Sequence, residues 1–227
     1  MMAPAPDARQ DSAETGPWPA FADLLAATTL LFLILFAAIA VPAIRKAGDA
    51  DARETTLRRI QEAIGPARQE RHVIVRRVGD YLLVRIEGDA TFPRDRYELA
   101  QLKPEGKRIL RDFGAFLKQD TLLRYIDQVQ VVGHTSSEGG EERNWILSAS
   151  RAATVSLFLI DSVGIPPCQV SALGRSRYYP ADPERARHVA AVNEQDRRIE
   201  LEIRPVLPRD TVQTARRKSC VTTRGVS

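Results

Sequence analysis

Cysteine is nearly absent from this chain of 227 residues: Cys168 and Cys220 are the only two. They lack the clustered spacing of a zinc site, and neither stands near the N-terminus, where a lipoprotein would carry its acylated cysteine. Histidine is scarce as well, with three residues. No Ser-His-Asp set, Gly-rich phosphate loop or pair of catalytic carboxylates is apparent, so an enzyme is the least favoured class and no metal or cofactor is expected. A long basic run is also missing before Arg216-Arg217-Lys218. The net charge is +4 and the pI about 9.3, but the arginines are spread through apparent helices and strands. A basic balance alone is only the electrostatic footprint of a nucleic-acid binder, and no direct nucleic-acid partner is expected.

What the chain does have is one long uncharged run, from Leu24 to Ile44. A bilayer core needs about 20 apolar residues in a helix, and here Leu, Phe, Ile and Ala occupy every side rather than one face. The alternative is a cleavable signal, for which Ala38-Ile39-Ala40 offers a small-x-small pattern. Against it, Asp7, Asp11 and Glu14 outnumber Arg9 where a signal is basic, and the run exceeds a typical signal core of about 7–15 residues.

Asp23 opens the run. A carboxylate in lipid is costly. It lies either at the headgroup level, favoured by the helix dipole, or against a partner helix, where desolvation would let it bind and release a proton. Thr28 and Thr29 could line the same path or bond back to their own helix. Arg45, Lys46, Arg53, Arg58 and Arg59 follow the span, and by the positive-inside rule they place the C-terminal half in the cytoplasm.

Residues 45–70 read as a polar helical linker with Leu57, Ile60 and Ile64 on one stripe, able to pair with a second copy or to pack on the domain. His72–Val75 and Tyr81–Ile86 read as strands around a Gly79-Asp80 turn. Leu110, Phe113, Phe116 and Leu117 mark a helix starting near Pro104, and Ile126–Val132 a strand. A second helix spans about Glu141 to Ser162, with Ile146, Ala149, Ala153, Leu157 and Ile160 as its expected buried stripe and Gly164 as its stop. Val170–Leu173 fits an edge strand, and Arg198–Ile203 alternates as a closing strand. The fold class is α+β. The expected divisions are a cytoplasmic tail (1–17), a membrane helix (18–44), the linker (45–70), a folded domain (71–205) and a basic tail (206–227).

Val131-Val132-Gly133-His134-Thr135, then Asn144, Leu147-Ser148 and Arg151, then Asp196-Arg197-Arg198, together resemble the peptidoglycan-binding domain of OmpA and MotB type. Phe92 fits the aromatic that precedes the first helix of that family. The resemblance covers roughly residues 70–205 and implies a βαβαβ-type periplasmic domain, against the charge flanks.

Asn144, Leu147 and Arg151 share one helical face, expected to be offset from the buried stripe. An arginine there can grip a carboxylate through two parallel bonds. The resemblance assigns Arg151 to the diaminopimelate carboxylate of the stem peptide. The family's Asp after G-H-T, which takes the ligand ammonium, is replaced by Ser136, and Glu138 could supply the missing charge. His134 is expected to be structural. Asn144 reaches loop or ligand, and Arg197 and Arg198 reach ligand or loop carboxylates or brace the fold.

Phe21-Ala22-Asp23 resembles the start of the span in MotB-type stator subunits. Trp18-Pro19-Ala20-Phe21 with Asp23-Leu24 looks closer to the MotB-like subunits of Zorya anti-phage defence systems. That likeness implies an inner-membrane, single-pass stator subunit with a cytoplasmic N-terminus. It also implies a homodimer inside five polytopic MotA- or ZorA-like subunits, with Asp23 carrying an ion, a proton by preference. A flagellar stator subunit and a passive wall anchor remain the alternatives. In a periplasmic domain, Cys168 and Cys220 either form a disulfide or stay unpaired.

Overall fold

The computed structural model describes residues 17–63, 71–184 and 194–206. Ile64 and Cys220, with most of both expected tails, lie outside them. The chain divides into two compact units, Met1–Gly48 and Asp49–Ser227, and each is considered by itself.

The first unit holds the start of helix α1 (Trp18–Ala63). Its large apolar side chains from Trp18 to Ile44 are exposed, as expected of a helix whose natural solvent is hydrocarbon. Thr28 and Thr29 donate to the carbonyls of Leu24 and Leu25, at 2.7–3.0 Å. Of the two readings of these threonines, the structure has the back-bonded one. Asp23 is exposed on this helix. Among the described residues one other helix, Glu141–Val163, is long and apolar enough to cross a membrane, but it is more than half buried within the second unit.

The second unit is a sheet of five strands in the order β1-β2-β5-β3-β4, packed on helices. Strands β1 (Val73–Val78) and β2 (Tyr81–Glu87) form the expected hairpin. β3 (Ile126–His134) and β4 (Val170–Gly174) are parallel, and β5 (Arg198–Pro205) lies antiparallel between β2 and β3. One-turn helix α2 (Gly88–Thr91) follows β2, and α3 (Pro104–Lys118) and α4 (Glu141–Phe158) are the two long helices. Gly164, at φ 80°, ends the second of these after a final widened turn, because a left-handed residue closes a helix most easily when it has no Cβ.

Val84, Ile86, Ile199, Leu201, Ile203, Val129 and Val131 face α3 and α4 and make the core. Leu57 and Ile60 join this core and are fully buried. The linker stripe therefore packs on the domain, at about 1.5–3 kcal/mol per buried side chain. Two links between α1 and the hairpin hold the same register. Arg77 meets Glu54 through Nη1 and Nη2 at 2.6–2.7 Å, and Arg53 meets Asp80 at 3.3 Å.

Two expectations are corrected. On α4 the buried residues are Asn144, Leu147, Ser148, Arg151, Ala152, Val155, Ser156 and Phe158. Ile146 and Leu157 are more than half exposed, and Ala149 and Ala153 are exposed too. The helix is rotated away from its more apolar stripe because its N-terminal half sits directly on the β3 and β4 backbones. A Cβ on Gly174 would stand 2.7 Å from the Ser148 hydroxyl, and such close contact demands small residues. The face carrying Asn144, Leu147 and Arg151 is thus the buried face, not one offset from it.

β5, for its part, is buried on both sides rather than alternately. Its second face carries Arg198, Glu200 and Glu202, neutralised by ion pairs: Arg198–Glu200 along the strand at 2.8 Å, Arg85–Glu200 from β2 at 3.2 Å and Arg175–Glu202 from just past β4 at 3.0 Å. Buried charges persist only when paired in this way.

Candidate functional site

The end of β3 delivers His134, Thr135 and Ser136 into a corner where all three are buried. The Nε2–H of His134 donates to Glu200 at 3.1 Å. Burial is the main influence on the ring and pulls its pKa below the ordinary value, so it is neutral at neutral pH. For Glu200, burial alone would raise the pKa. The hydrogen bond from His134 and the charge of Arg198 overcome burial and hold the carboxyl well below the usual range. Glu200 and Arg198 supply the anion and cation of one buried network, and His134 braces the corner as expected. Arg198 is buried and bonds Glu200, the Asp196 carbonyl at 3.3 Å and the Tyr179 carbonyl at 3.0 Å.

Beyond the corner, the loop turns into α4. Asn144 Nδ2 donates to the Glu138 carbonyl at 2.9 Å, so Asn144 reaches the loop and fixes its path. Arg151, two turns along the same face, lies under the loop that follows Phe92. Its Nε donates to the Arg96 carbonyl at 2.8 Å and its Nη2 to the Pro93 carbonyl at 3.0 Å. The guanidinium also lies 5.7 Å from the centre of the Phe92 ring, within cation–π range. Burial, then the neighbouring charge of Arg197, pulls its pKa down to about 10, opposed by Asp95. It remains a cation at neutral pH. The expected open clamp is therefore not what the structure builds: Arg151 is 4% exposed and two of its nitrogens already hold a loop. The physical reason is the rotation of α4, which turns this face inward.

Around Arg151 the charges stand in pairs. Glu138 bonds Arg94, and this contact, first among the causes, lowers the Glu138 pKa. Arg197 pairs with Glu194 at 3.0 Å and Asp89 at 3.4 Å. Its backbone carbonyl accepts from Gly88 at 2.7 Å, which seats α2 beside it. Arg143 pairs with Asp95 at 3.3 Å. Asp95, Tyr97, Glu142, Arg143, Ile146 and Leu147 line a pocket of about 340 Å³. The structure thus gathers Ser136, Glu138, Asn144, Leu147, Arg151 and Arg197 at one end of the sheet. Arg94, Asp95 and Tyr97 were missed by the sequence reading. The signal available was the charged run Arg94-Asp95-Arg96 directly after the Phe92-Pro93 that marks the loop.

Among the remaining expected residues, Cys168 is disulfide-bonded, while Cys220 lies outside the described residues. Asp23 belongs to the other unit.

A five-stranded sheet packed on helices, with a buried polar corner, a helix-borne arginine and a charged loop gathered at one sheet end, makes an α+β domain. The OmpA family model matches residues 91–194, and this stretch is an OmpA-like domain. Among curated proteins, the chain is 31% identical over 134 residues to "Probable lipoprotein YiaD" of Escherichia coli (strain K12), covering 59% of this chain and 56% of the relative. It is 32% identical over 107 residues to Outer membrane protein A of Bordetella avium, covering 47% and 51% respectively. The chain thus spans about half the length of the curated relatives it matches.

Two solved structures share the fold. One is a MotB-like protein from Desulfovibrio vulgaris, with TM-score 0.53 and 18% identity, covering 69% of this chain and 96% of that one. The other is the cell wall anchor of the T6SS from Pseudomonas aeruginosa, with TM-score 0.51 and 23% identity, covering 65% and 97%.

Proposed function

We propose that this chain is a peptidoglycan-anchored stator subunit of an ion-driven inner-membrane motor, of the MotB-like type found in Zorya defence systems (ZorB). The observation that carries the reading is the union, in one chain, of an acidic residue at the start of an exposed apolar helix with an OmpA-like domain. In this reading the N-terminus is cytoplasmic, α1 crosses the inner membrane once, and the folded domain lies in the periplasm. The likeness to a cell wall anchor supports the wall as its target.

At the domain, Arg151 and Arg197 present cationic donors to the diaminopimelate carboxylate of a stem peptide, and Glu138 meets its ammonium. Arg151 acts partly through the loop it holds, since its Nε and Nη2 already bond the 93–96 backbone. In the membrane, two copies stand inside a ring of polytopic MotA- or ZorA-like subunits. Asp23 of each copy takes and releases a cation, a proton by preference, and its neutralisation changes its affinity for the ring wall.

The test of the anchor is retention of the full-length chain, in detergent, on purified sacculi. Wild type should sediment with the sacculi and Arg151→Lys should not, because lysine cannot make the forked bonds. Thermal unfolding of the variant checks that the domain still folds. Failure of wild type to sediment, or labelling that places residues 71–206 in the cytosol, would overturn the reading.

A further inference from the structure

The site described above contains a contact that its proposed ligand must break. Glu138 is the carboxylate offered to the ligand ammonium in place of the family's aspartate, yet it bonds Arg94. Among the described residues, no other carboxylate is in an ion pair with Arg94. The nearest other carboxylates that act on it are Asp95 and Glu194. Asp95 is engaged by Arg143 and Glu194 by Arg197.

We propose that Arg94 is a specificity-determining residue, which makes the site answer to a ligand group carrying ammonium and carboxylate together. This inference rests on the wall-binding reading. A lone ammonium at Glu138 displaces Arg94 and leaves a guanidinium without its ion-pair anion. A lone carboxylate at Arg94 displaces Glu138 and leaves it without a cation. A zwitterion inserts between the two: its ammonium takes Glu138, its carboxylate takes Arg94 in addition to the donors of Arg151 and Arg197, and every charge keeps a partner. The exchange is local because both side chains are partly exposed, at 59% and 36%, so solvent screens the intermediate arrangement. Ser136, buried and uncharged at the family's acidic position, cannot substitute for Glu138 in this exchange.

The full-length chain in detergent can be titrated with three seven- or five-carbon probes: meso-diaminopimelate, which bears both charges at each end, pimelate, which bears only carboxylates, and cadaverine, which bears only ammoniums. Wild type should bind diaminopimelate and discriminate against the other two. Arg94→Gln frees Glu138, and its affinity for cadaverine should rise by roughly two- to fivefold, the range expected for breaking an exposed ion pair. Arg94→Lys keeps the pair and should keep the discrimination. Arg94→Gln combined with Glu138→Gln should lose the gain. If Arg94→Gln discriminates among the probes as wild type does, the proposal fails while wall binding stands. If wild type binds neither diaminopimelate nor sacculi, the reading beneath it fails as well.

Discussion

Gly133 lies so close beneath Ser148 that a Cβ on it would stand 2.0 Å from the Ser148 carbonyl oxygen. This approach, between the end of β3 and the first half of α4, sets the spacing of the whole site. It fixes the distance from the His134–Ser136 corner to Arg151, one turn beyond Ser148. Gly133→Ala should therefore push α4 off the sheet, at a cost of about 1–3 kcal/mol as for other overpacked cores. Urea unfolding of the full chain should show that loss together with weaker retention on sacculi. An unfolding midpoint equal to that of wild type would mean the helix shifts without strain.

Acid should weaken the domain in two stages. Buried His134 has a pKa below its ordinary value of 6.5. As pH falls through 6.5 the unfolded chain takes up that proton first, and stability declines. Glu200 is likewise depressed, from 4.5. Its contribution is whole above that value and is lost below it, as the unfolded state protonates while the folded one resists. The urea midpoint measured from pH 8 to pH 3 should fall on both legs. His134→Gln can still donate to Glu200 but does not titrate, so it should remove the upper leg alone. A flat profile between pH 7 and 5 in wild type would contradict the neutral buried ring.

Asp23→Asn should abolish ion uptake by vesicles containing the chain and its polytopic partner, and leave sacculus retention unchanged. The substitution keeps size and polarity but removes the titratable proton. Retained function in this variant would make the chain a passive anchor.

Cys168 is disulfide-bonded, and Cys220 is the other cysteine in the sequence. Peptide mapping without reductant should recover the two in one linked peptide. Closing that long loop stabilises by on the order of 2–4 kcal/mol, so Cys168→Ser should lower the urea midpoint. Two alkylatable thiols in the protein isolated from cells would refute this.

The parts of the fold set by local pattern could be read directly from the residues. The hairpin at Gly79-Asp80, the Pro104 helix, the edge strand and the stop at Gly164 each carry their own turn, cap or period. The orientation of α4 could not be read, because hydrophobicity points to Ile146, Ala149, Ala153 and Leu157. What turns the helix is backbone proximity at Gly133 and Gly174, a tertiary fact with little apolar signature. The same rotation explains why Arg151 was recognisable as a site residue while its two loop carbonyls were not. Those carbonyls belong to Pro93 and Arg96, more than fifty residues earlier in the chain, and main-chain acceptors leave no mark on residue identity. Likewise β5 showed its alternation, but not that Glu200 and Glu202 would be enclosed, since their partners Arg85, on β2, and Arg175, just past β4, lie far away in sequence.

Among the described residues, β5 is the last strand in sequence and the middle one in space. Until residues 198–205 emerge, β1-β2 and β3-β4 are separate halves, each with a bare hydrogen-bonding edge. Such edges invite pairing with other chains. Synthesis therefore has to deliver residues 198–205 before the domain can close, and a chain truncated ahead of Arg198 should be cleared by proteases or aggregate rather than persist as a smaller folded form.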